Sequence, residues 1–409
     1  MTYKAKFFFW LFLGVGLAAP QEACAQEIKN NNCIVCHADQ WEQMKGSIHA
    51  QHQITCDRCH GGDPAKEDMD EAKAPGTNFI GVPTKQQIAQ KCGECHADVE
   101  TMNFYGLPTD QLARYKTSAH GKLLFDHGDE HGAVCTDCHG YHDVVAVMDP
   151  QSPVYPLNLP ATCNRCHGDK AVMAPYKHPT DIFEKYKKSV HGVALFEKGD
   201  LGAASCVKCH GSHGAMPPGV KEIGNTCGKC HVNEKKYFLQ GPHAQASQDG
   251  YFSECASCHD YHDIQRPDTN LYNTACLNCH SEGDEAFKRG QKIKEMIDSS
   301  NRALSDAREL VKQAAMEGIF VDEETAALEE ARTNVLEMAP RQHSLSVEII
   351  TELYDKATAL TEDIQDGIRA KRQSLKWRKI GLVPLWIFIF FMVVVLRAKY
   401  DQLKGKKHE

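Results

Sequence analysis

This sequence has no excess of positive charge, few long apolar runs, and almost no cysteine outside one repeated pattern. The 409 residues have a formal net charge of -8, which argues against nucleic-acid binding and favours a partner with a basic or salt-sensitive surface. Only two long apolar runs occur, at residues 7–19 and 380–396, and no cysteine follows residue 280. Any cysteine chemistry therefore belongs to the part of the chain before residue 281.

The cysteines that are present follow a single rule. Of the 19 cysteines, 18 fall into nine copies of the pattern CxxCH. The copies are Cys33/Cys36/His37, Cys56/Cys59/His60, Cys92/Cys95/His96, Cys135/Cys138/His139, Cys163/Cys166/His167, Cys206/Cys209/His210, Cys227/Cys230/His231, Cys255/Cys258/His259 and Cys276/Cys279/His280. Two thiols at this spacing bond to the two vinyl groups of one haem as thioethers, and the adjacent histidine becomes an axial ligand of the iron. The pattern predicts nine covalently bound haems of c type.

Two other structures can hold many cysteines in an exported chain. One is a framework of disulfides, and the other is a set of zinc ribbons built from paired CxxC motifs. Neither needs a histidine directly after every cysteine pair, whereas haem attachment does. Haem attachment is therefore the interpretation that accounts for the fifth position of all nine copies.

The N-terminus predicts export. Lys4 and Lys6 precede the first apolar run, and Ala23, Cys24 and Ala25 form a small-residue cleavage site. We expect residues 1–25 to be a cleaved signal peptide, which leaves every remaining cysteine inside a haem motif. A lipoprotein anchored at Cys24 is the alternative, but Gln21 stands where such a signal has leucine.

The second apolar run, residues 380–396, is at the short end of what spans a bilayer. Basic residues flank it on both sides, so their distribution alone does not orient it. Export of the haem region does, and places residues 397–409 in the cytoplasm as a basic tail. We expect a single-pass protein of the cytoplasmic membrane with its haem domain on the periplasmic side. A buried core helix is the alternative.

Residues 26–280 are expected to be the haem domain. They give 255 residues for nine motifs, or about 28 for each haem, which is too little chain to build an apolar core around each one. The porphyrins must then supply most of the buried apolar surface. The sequence predicts a mainly α fold with much irregular loop, built on packed haem pairs.

An internal repeat organises this region. Residues 92–143 align without a gap to residues 163–214, at an offset of 71. Both copies contain CxxCH, a Pro-Thr-Asp turn, the string YKxSxHG, and CHGxH, and shorter versions lie on either side. We interpret the chain as four haem pairs, each with its own supply of histidines, followed by a ninth haem.

The repeat also predicts the second axial ligand of each iron. Histidines recur at matched positions in the SxH and CHGxH strings, and the first pair, which lacks the second of these, has one nearby. Another begins the last helix after Pro340. We predict nine distal ligands: His49, His52, His120, His142, His191, His213, His243, His262 and His343. Three histidines have no equivalent in the repeat and are expected on the surface: His127, His131 and His178.

Beyond residue 280 the pattern becomes helical. Apolar residues recur at three-and-four spacing through residues 281–379, which predicts a helical hairpin or a three-helix tail running towards the membrane segment. Gly318 and Pro340 are the expected breaks.

The paired CxxCH motifs, the SxH and CHxxH elements around them, and the long C-terminal helices resemble the multihaem cytochrome c superfamily. This superfamily includes cytochrome c554, the pentahaem nitrite reductases and the octahaem hydroxylamine oxidoreductases. A tail-anchored haem protein of this size is also similar to the cytochrome c subunits of menaquinol-oxidising complexes. The resemblance implies electron transfer between a membrane quinol-oxidising partner of cytochrome b type and periplasmic or surface cytochromes. No histidine lies within residues 380–396, so quinol oxidation by this chain alone is not expected.

The resemblance also implies an alternative function. Enzymes of the superfamily keep one haem with an open or lysine-bound distal side, where a small nitrogen or sulfur species reacts, such as nitrite, hydroxylamine, tetrathionate or sulfite. All nine motifs here end in histidine, and none is CxxCK. We assign no catalytic residue. Tyr141 and Tyr261, each between a motif and its following histidine, are expected to be packing residues.

Overall fold

The structure is a computed structural model that describes residues 31–218, 223–251 and 253–405. The predicted signal peptide, its cleavage site and the last four residues of the basic tail lie outside the described residues. Within the described part, helix is the regular secondary structure and no strand occurs. The prediction of a mainly α fold is confirmed, and the packing of haem pairs stays a prediction.

The chain divides into two compact units, and the first ends at Asn158. The ten helices among its described residues, which begin at residue 31, span 4 to 12 residues each. They are α1 (Asn32–Cys36), α2 (Ala38–Met44), α3 (Ile48–Gln51), α4 (Cys56–His60), α5 (Met69–Ala72), α6 (Lys85–His96), α7 (Val99–Tyr105), α8 (Gln111–Thr117), α9 (Ala119–Asp126) and α10 (Cys135–His139).

The second unit begins at Leu159 and has short helices followed by three long ones. The helices are α11 (Leu159–His167), α12 (Lys170–Met173), α13 (Ile182–Lys188), α14 (Val190–Phe196), α15 (Cys206–His210), α16 (Ile223–Cys227), α17 (Val232–Phe238), α18 (His243–Gln248), α19 (Ala256–His259), α20 (Leu271–Thr274), α21 (Glu285–Met316), α22 (Asp322–Arg341) and α23 (Val347–Gly405). Short 3₁₀ turns occupy Ala174–Tyr176, Cys276–Asn278 and Gln342–Ser344.

The two long copies of the sequence repeat have the same local structure. Helices α8 and α9 of one copy correspond to α13 and α14 of the other at the offset of 71. In each copy a tyrosine hydroxyl donates a hydrogen bond to a backbone carbonyl just before the next motif: Tyr115 to Ala133 at 2.8 Å, and Tyr186 to Ala204 at 3.0 Å. This bond explains the tyrosine of the YKxSxHG string, because it ties the helix that precedes the histidine to the following motif.

Helices α21, α22 and α23 pack against one another as a three-helix bundle. Their inner faces carry buried apolar side chains at three-and-four spacing, including Ile293, Leu328 and Leu353. Helix α21 ends at Met316, and Gly318 takes a left-handed φ of +78° in the turn that follows. Pro340 does not end α22 itself: it lies in the last turn, and the helix ends one residue later. A proline at this position removes only one backbone hydrogen-bond donor, and it does so in the last turn of the helix.

Helix α23 continues from the bundle into the second apolar run without a break, through Pro384. Among the described residues it is the one helix long and apolar enough to cross a membrane, with a mean hydropathy of 2.5 over its most apolar 18 residues. No residue of that segment is buried inside the protein. A core helix would bury such a surface, so the segment fits a membrane anchor better than a buried element.

Candidate functional site

Each motif holds its cysteines and histidine on a tight turn of chain. Six of the nine motif histidines are the last residue of a helix, and backbone bonds close the turn in the others, as in the bond of His280 N–H to the Cys276 carbonyl at 2.9 Å. A helical turn places residues three apart on the same side, so the two thiols of a motif can approach one flat ligand together. None of the eighteen motif cysteines, all of which the structure describes, forms a disulfide, which does not support the disulfide alternative.

The second cysteine of each motif is more accessible than the first. All nine first cysteines are half-buried, whereas eight of the second ones are exposed and Cys138 is half-buried. If the polypeptide enclosed its attachment residues, the second cysteines would be buried. None of them is, including Cys138, Cys166 and Cys230. The reason is that the motif region has few buried apolar side chains of its own to cover them.

Haem attachment at all eighteen motif cysteines stays a prediction, and the structure shows where the thiols of Cys138, Cys166 and Cys230 lie. Cys138 is in the last turn of α10, where its thiol is close enough to interact with the hydroxyl of Tyr115. Cys166 occupies the equivalent place in α11, directly before its motif histidine. Cys230 follows the end of α16, and its thiol is close enough to interact with that of Cys209. The last of these contacts joins two successive motifs.

Zinc ribbons are not supported either. No group of three or more histidine, cysteine, aspartate or glutamate side chains is arranged to hold a metal ion in the described part of the chain, whereas a structural zinc takes four such ligands. A haem iron needs only two ligands from the protein, because the porphyrin supplies the other four. A site for haem iron therefore needs two histidines that face each other.

Six pairs of histidine rings do so within the two units. Their ring centroids lie 6.0–6.4 Å apart. The pairs are His49 with His96, His60 with His142, His191 with His231, His210 with His262, His243 with His280, and His259 with His343. Every pair joins one motif histidine to one histidine from outside the motifs.

The separation matches that of two axial ligands. A bond between a metal ion and an imidazole nitrogen is about 2 Å long, and the ring centroid lies about 1.1 Å behind that nitrogen, so rings on opposite sides of one ion have centroids roughly 6.2 Å apart. Packed aromatic rings in general span about 4.5–7 Å. The narrow range alone is therefore not decisive. Each pair combines a motif histidine with a non-motif histidine, which is the combination that ligation of one iron between them would need.

The pairing follows a rule that the sequence did not reveal. The first motif of a haem pair faces a histidine of the preceding pair, as His96 faces His49 and His231 faces His191. The second motif faces a histidine that lies after the next pair's second motif, as His60 faces His142. The sequence predicts that each haem pair has its own histidines. The structure differs from this, because motif histidines of one haem pair face histidines that belong to the neighbouring pair, and the reverse also holds.

Hydrogen bonds fix the orientation of several of these rings. The Nδ1 atom of His60 lies 2.8 Å from the Gly81 carbonyl oxygen, that of His210 lies 3.2 Å from the carbonyl of Met216, and that of His343 lies 3.0 Å from the carbonyl of Pro340. A carbonyl only accepts, so each Nδ1 donates and Nε2 keeps its lone pair. This is the arrangement that metal-bound histidines use.

The SxH string is a helix N-cap that presents its histidine in the first turn. The hydroxyls of Ser47, Ser118 and Ser189 accept hydrogen bonds from backbone amides three residues later, and all three serines are buried. The histidine two residues after each serine therefore has a fixed position. In the fourth pair Gly241 replaces the serine, where a side chain would contact the Ser344 backbone at 2.9 Å.

The turn after the second motif of each pair needs a left-handed residue. Gly61, Gly140 and Gly211 have φ values of +69°, +82° and +84°, which glycine adopts without strain. In the fourth pair Asp260 takes φ +63° at the equivalent position. The turn reverses the chain directly after the motif histidine, which explains the glycine of the CHG string.

Burial keeps these imidazoles neutral. It is the main cause that lowers the pKa of eight predicted iron ligands, namely His49, His96, His142, His167, His191, His243, His259 and His262. Neutral imidazole is the form that binds a metal ion. The Nδ1 atom of His142 is also buried with no hydrogen-bond partner. Ligation of a metal ion by the other ring nitrogen, Nε2, would help to offset the cost of burying Nδ1.

Successive motifs lie next to each other within each unit. Sulfur-to-sulfur hydrogen bonds join Cys92 to Cys135, Cys163 to Cys206 and Cys227 to Cys255. The thiols of Cys59 and Cys95, of Cys209 and Cys227, and of Cys258 and Cys276 are close enough for their charges to interact. Within each unit, the order of the motifs along the chain is therefore also their order in space.

Six predicted ligands are outside these histidine pairs, and two of the six, His37 and His52, are exposed. His52 is exposed, and its ring faces the ring of Tyr105 at 4.8 Å rather than a motif histidine. His37 is exposed, and no histidine ring faces it among the described residues. The prediction of nine distal histidines for nine irons is therefore not matched by the geometry at the first motif.

The remaining histidines divide by exposure. His120 and His213, two predicted distal ligands, are half-buried, as are the motif residues His139 and His167. The three histidines expected on the surface, His127, His131 and His178, are exposed. Of these, His131 places its Nδ1 atom 2.9 Å from the Asp129 carboxylate. Tyr141 and Tyr261 pack edge-on against His142 and His262 while remaining largely exposed.

Comparison with protein-family models, with curated protein sequences and with solved structures gives no significant match.

Proposed function

We propose that this protein is a membrane-anchored, periplasmic c-type cytochrome with nine covalent haems that transfers electrons. The observation that carries the proposal is the set of six motif-to-distal histidine pairs with centroids 6.0–6.4 Å apart. Nine CxxCH motifs supply the thiols for attachment. Haem irons, when bound, supply reversible one-electron transfer. On this proposal the chain belongs to the multihaem cytochrome c superfamily that its motifs resemble.

The protein's own residues would hold neighbouring haems in a fixed order. Cysteines of successive motifs are in contact, and histidines from one haem pair reach across to the next. Short distances between redox centres favour transfer from one to the next without a mobile carrier. Backbone carbonyls that orient the ligand rings adjust their basicity, and burial of the rings excludes water from the ligand positions.

The anchor supports a role beside a membrane partner. We propose that electrons pass between a quinol-oxidising membrane subunit of cytochrome b type and other periplasmic or surface cytochromes. The apolar segment of α23 would cross the cytoplasmic membrane once, with the C-terminus in the cytoplasm. This segment has no histidine to bind a haem of its own, which is why the proposal includes a partner.

The direct test is to count the haems. The intact mass of the purified protein should exceed that of the polypeptide by nine haems, and the pyridine haemochrome spectrum should be of c type. Membranes from the same cells should retain the protein after a salt wash and release it in detergent. A mass equal to that of the unmodified chain would contradict the proposal.

A second candidate function is reduction or oxidation of a small nitrogen or sulfur species at one haem. One observation favours it: the exposed His37, with no histidine ring facing it in the described part of the chain. Turnover of nitrite, hydroxylamine or sulfite by the purified protein with an artificial electron donor or acceptor separates this candidate from pure electron transfer.

A further inference from the structure

The pairing rule leaves one motif without a source for its distal ligand. First motifs face a histidine from the preceding haem pair, as in His96 with His49 and His231 with His191. The ninth motif follows the same rule, since His280 faces His243. For His37 the corresponding histidine would lie before residue 33, and residues 1–32 contain none.

The geometry around His37 agrees with the rule. His37 is exposed at the junction of α1 and α2, and no histidine ring faces it in the described part of the chain. The other motif of the same haem pair is different: His60 is half-buried, faces His142 at 6.4 Å, and bonds through Nδ1 to the Gly81 carbonyl. The two motif histidines of one haem pair therefore differ in burial and in whether a second histidine faces them.

The nearby histidines are engaged elsewhere. His49 faces His96 with a centroid separation of 6.1 Å. His52, directly after α3, turns its ring towards Tyr105. Neither residue is directed at His37, although both lie within fifteen positions of it in the sequence.

We infer that the first haem, on Cys33 and Cys36, has neither a histidine nor another protein group as sixth ligand, so that its iron has a position open to a small exogenous ligand such as CO or cyanide. This inference rests on the proposed function. The site adjoins the second motif, since the thiol of Cys33 is close enough to interact with that of Cys56. Electrons on the first haem could pass directly to a small molecule bound to its iron. At the six paired motifs, two histidines would occupy both axial positions.

The first test uses the unmodified protein. After the haem count has given nine, the reduced protein is titrated with CO, and the oxidised protein is examined by electron paramagnetic resonance. One CO bound per chain and a high-spin signal from one haem in nine are expected. No CO binding and nine low-spin haems would show that the inference is wrong. A haem count of zero would instead remove the proposed function, so the two failures are distinct.

A pair of variants three positions apart identifies the ligands. His49→Ala should raise CO binding from one to two per chain, because it uncovers the haem of His96. His52→Ala should leave it at one. If instead the unmodified protein binds no CO and His52→Ala binds one, then His52 is the sixth ligand of the first haem and the inference fails.

A second pair of variants locates the open iron. Replacing Cys33 and Cys36 with alanine should lower the haem count to eight and abolish CO binding. The matched control replaces Cys276 and Cys279, which should also give eight haems but keep one CO per chain. CO binding that survives the loss of the first haem would place the open position elsewhere and contradict the assignment.

Discussion

The motif region and the helical bundle of this chain are stabilised by different means. Of the buried apolar side chains among the described residues, 17 lie within residues 281–379 and only 12 within residues 31–280, although the second range is far longer. The bundle has one continuous core along three helices. The motif region has short helices and half-buried histidines and cysteines facing one another. A region of its size with so few core residues needs another source of buried apolar surface, and nine porphyrins would provide it.

The largest expected effect follows from this difference. If the chain is produced without haem attachment, residues 31–280 should be cleaved completely by a protease under conditions in which the bundle survives, because only the bundle has its own core. Limited proteolysis followed by mass spectrometry measures this, with the haem-loaded protein as the control. A haem-free motif region that resists the protease as well as the loaded one does would break the comparison.

Within the bundle, packing should decide stability. Leu353 is 2% exposed and lies in the continuous core, so Leu353→Ala should lower the free energy of unfolding by about 2–5 kcal/mol through lost apolar burial and the cavity left behind. Leu336 is 59% exposed, and Leu336→Ala should change stability by less than about 0.5 kcal/mol. Chemical denaturation followed by circular dichroism compares them, and equal effects would show that the bundle core is not what holds these helices.

Within the motif region, local hydrogen bonds should matter more than packing. Ser118→Ala removes the N-cap of α9 and should destabilise the region by about 1 kcal/mol. The adjacent Thr117 is exposed, and Thr117→Ala is the control, with a smaller expected effect. Denaturation followed at the haem Soret band reports on this region, since His120 lies in the first turn of the same helix. A Ser118→Ala variant as stable as the control would mean that the cap does not position the histidine.

The smallest expected effect concerns the contact between the two regions within the second unit. Burial raises the pKa of Asp298, but hydrogen bonds from Lys294 and Thr269 outweigh it, and the pKa lies below its ordinary value. A carboxyl group with a lowered pKa stabilises the folded state above the pKa of the unfolded chain, and this contribution disappears as pH falls through the folded pKa. Asp298→Asn should therefore be less stable than the parent at neutral pH, with a difference that vanishes in acid.

Denaturant unfolding at a series of pH values measures this difference, and Glu309→Gln is the control. Glu309 is exposed, and its Lys312 partner lies 3.9 Å away, so its replacement should show no comparable dependence on pH. A difference for Asp298→Asn that persists unchanged below the folded pKa would exclude ionisation as its cause.

Much of the tail could be predicted from the sequence because helical packing has a short period. Apolar spacing over residues 281–379 predicts a helical hairpin or a three-helix tail with a break at Gly318, and the structure has three helices with Gly318 in the turn after the first. The continuity of α23 was not predicted: the sequence pattern separates the helical region 281–379 from the apolar run 380–396, yet one helix, Val347–Gly405, contains the end of the first and all of the second. Basic residues between them look like a boundary in the sequence, but lysine and arginine are good helix formers and do not end a helix.

The distal ligands show a sharper limit. Repeat positions predicted His49, His142, His191, His243 and His262 as ligands, and the position after Pro340 added His343. The structure brings each of these opposite a motif histidine. The same reasoning added His52, which faces a tyrosine. It also assumed that ligands stay within a haem pair. Equivalence within a repeat identifies which residues are alike, but it carries no information about which neighbouring copy each one contacts.

The sequence by itself determined the attachment chemistry, because the two thiols and the histidine of a motif fall within five consecutive residues, and one helical turn is enough to bring them together. It also determined the apolar segment that fits a membrane, since length and hydropathy are properties of a single run. The tertiary structure decided which histidines face each other, because the two members of a pair lie 37 to 84 positions apart in the chain, and only the folding of the intervening residues brings them together.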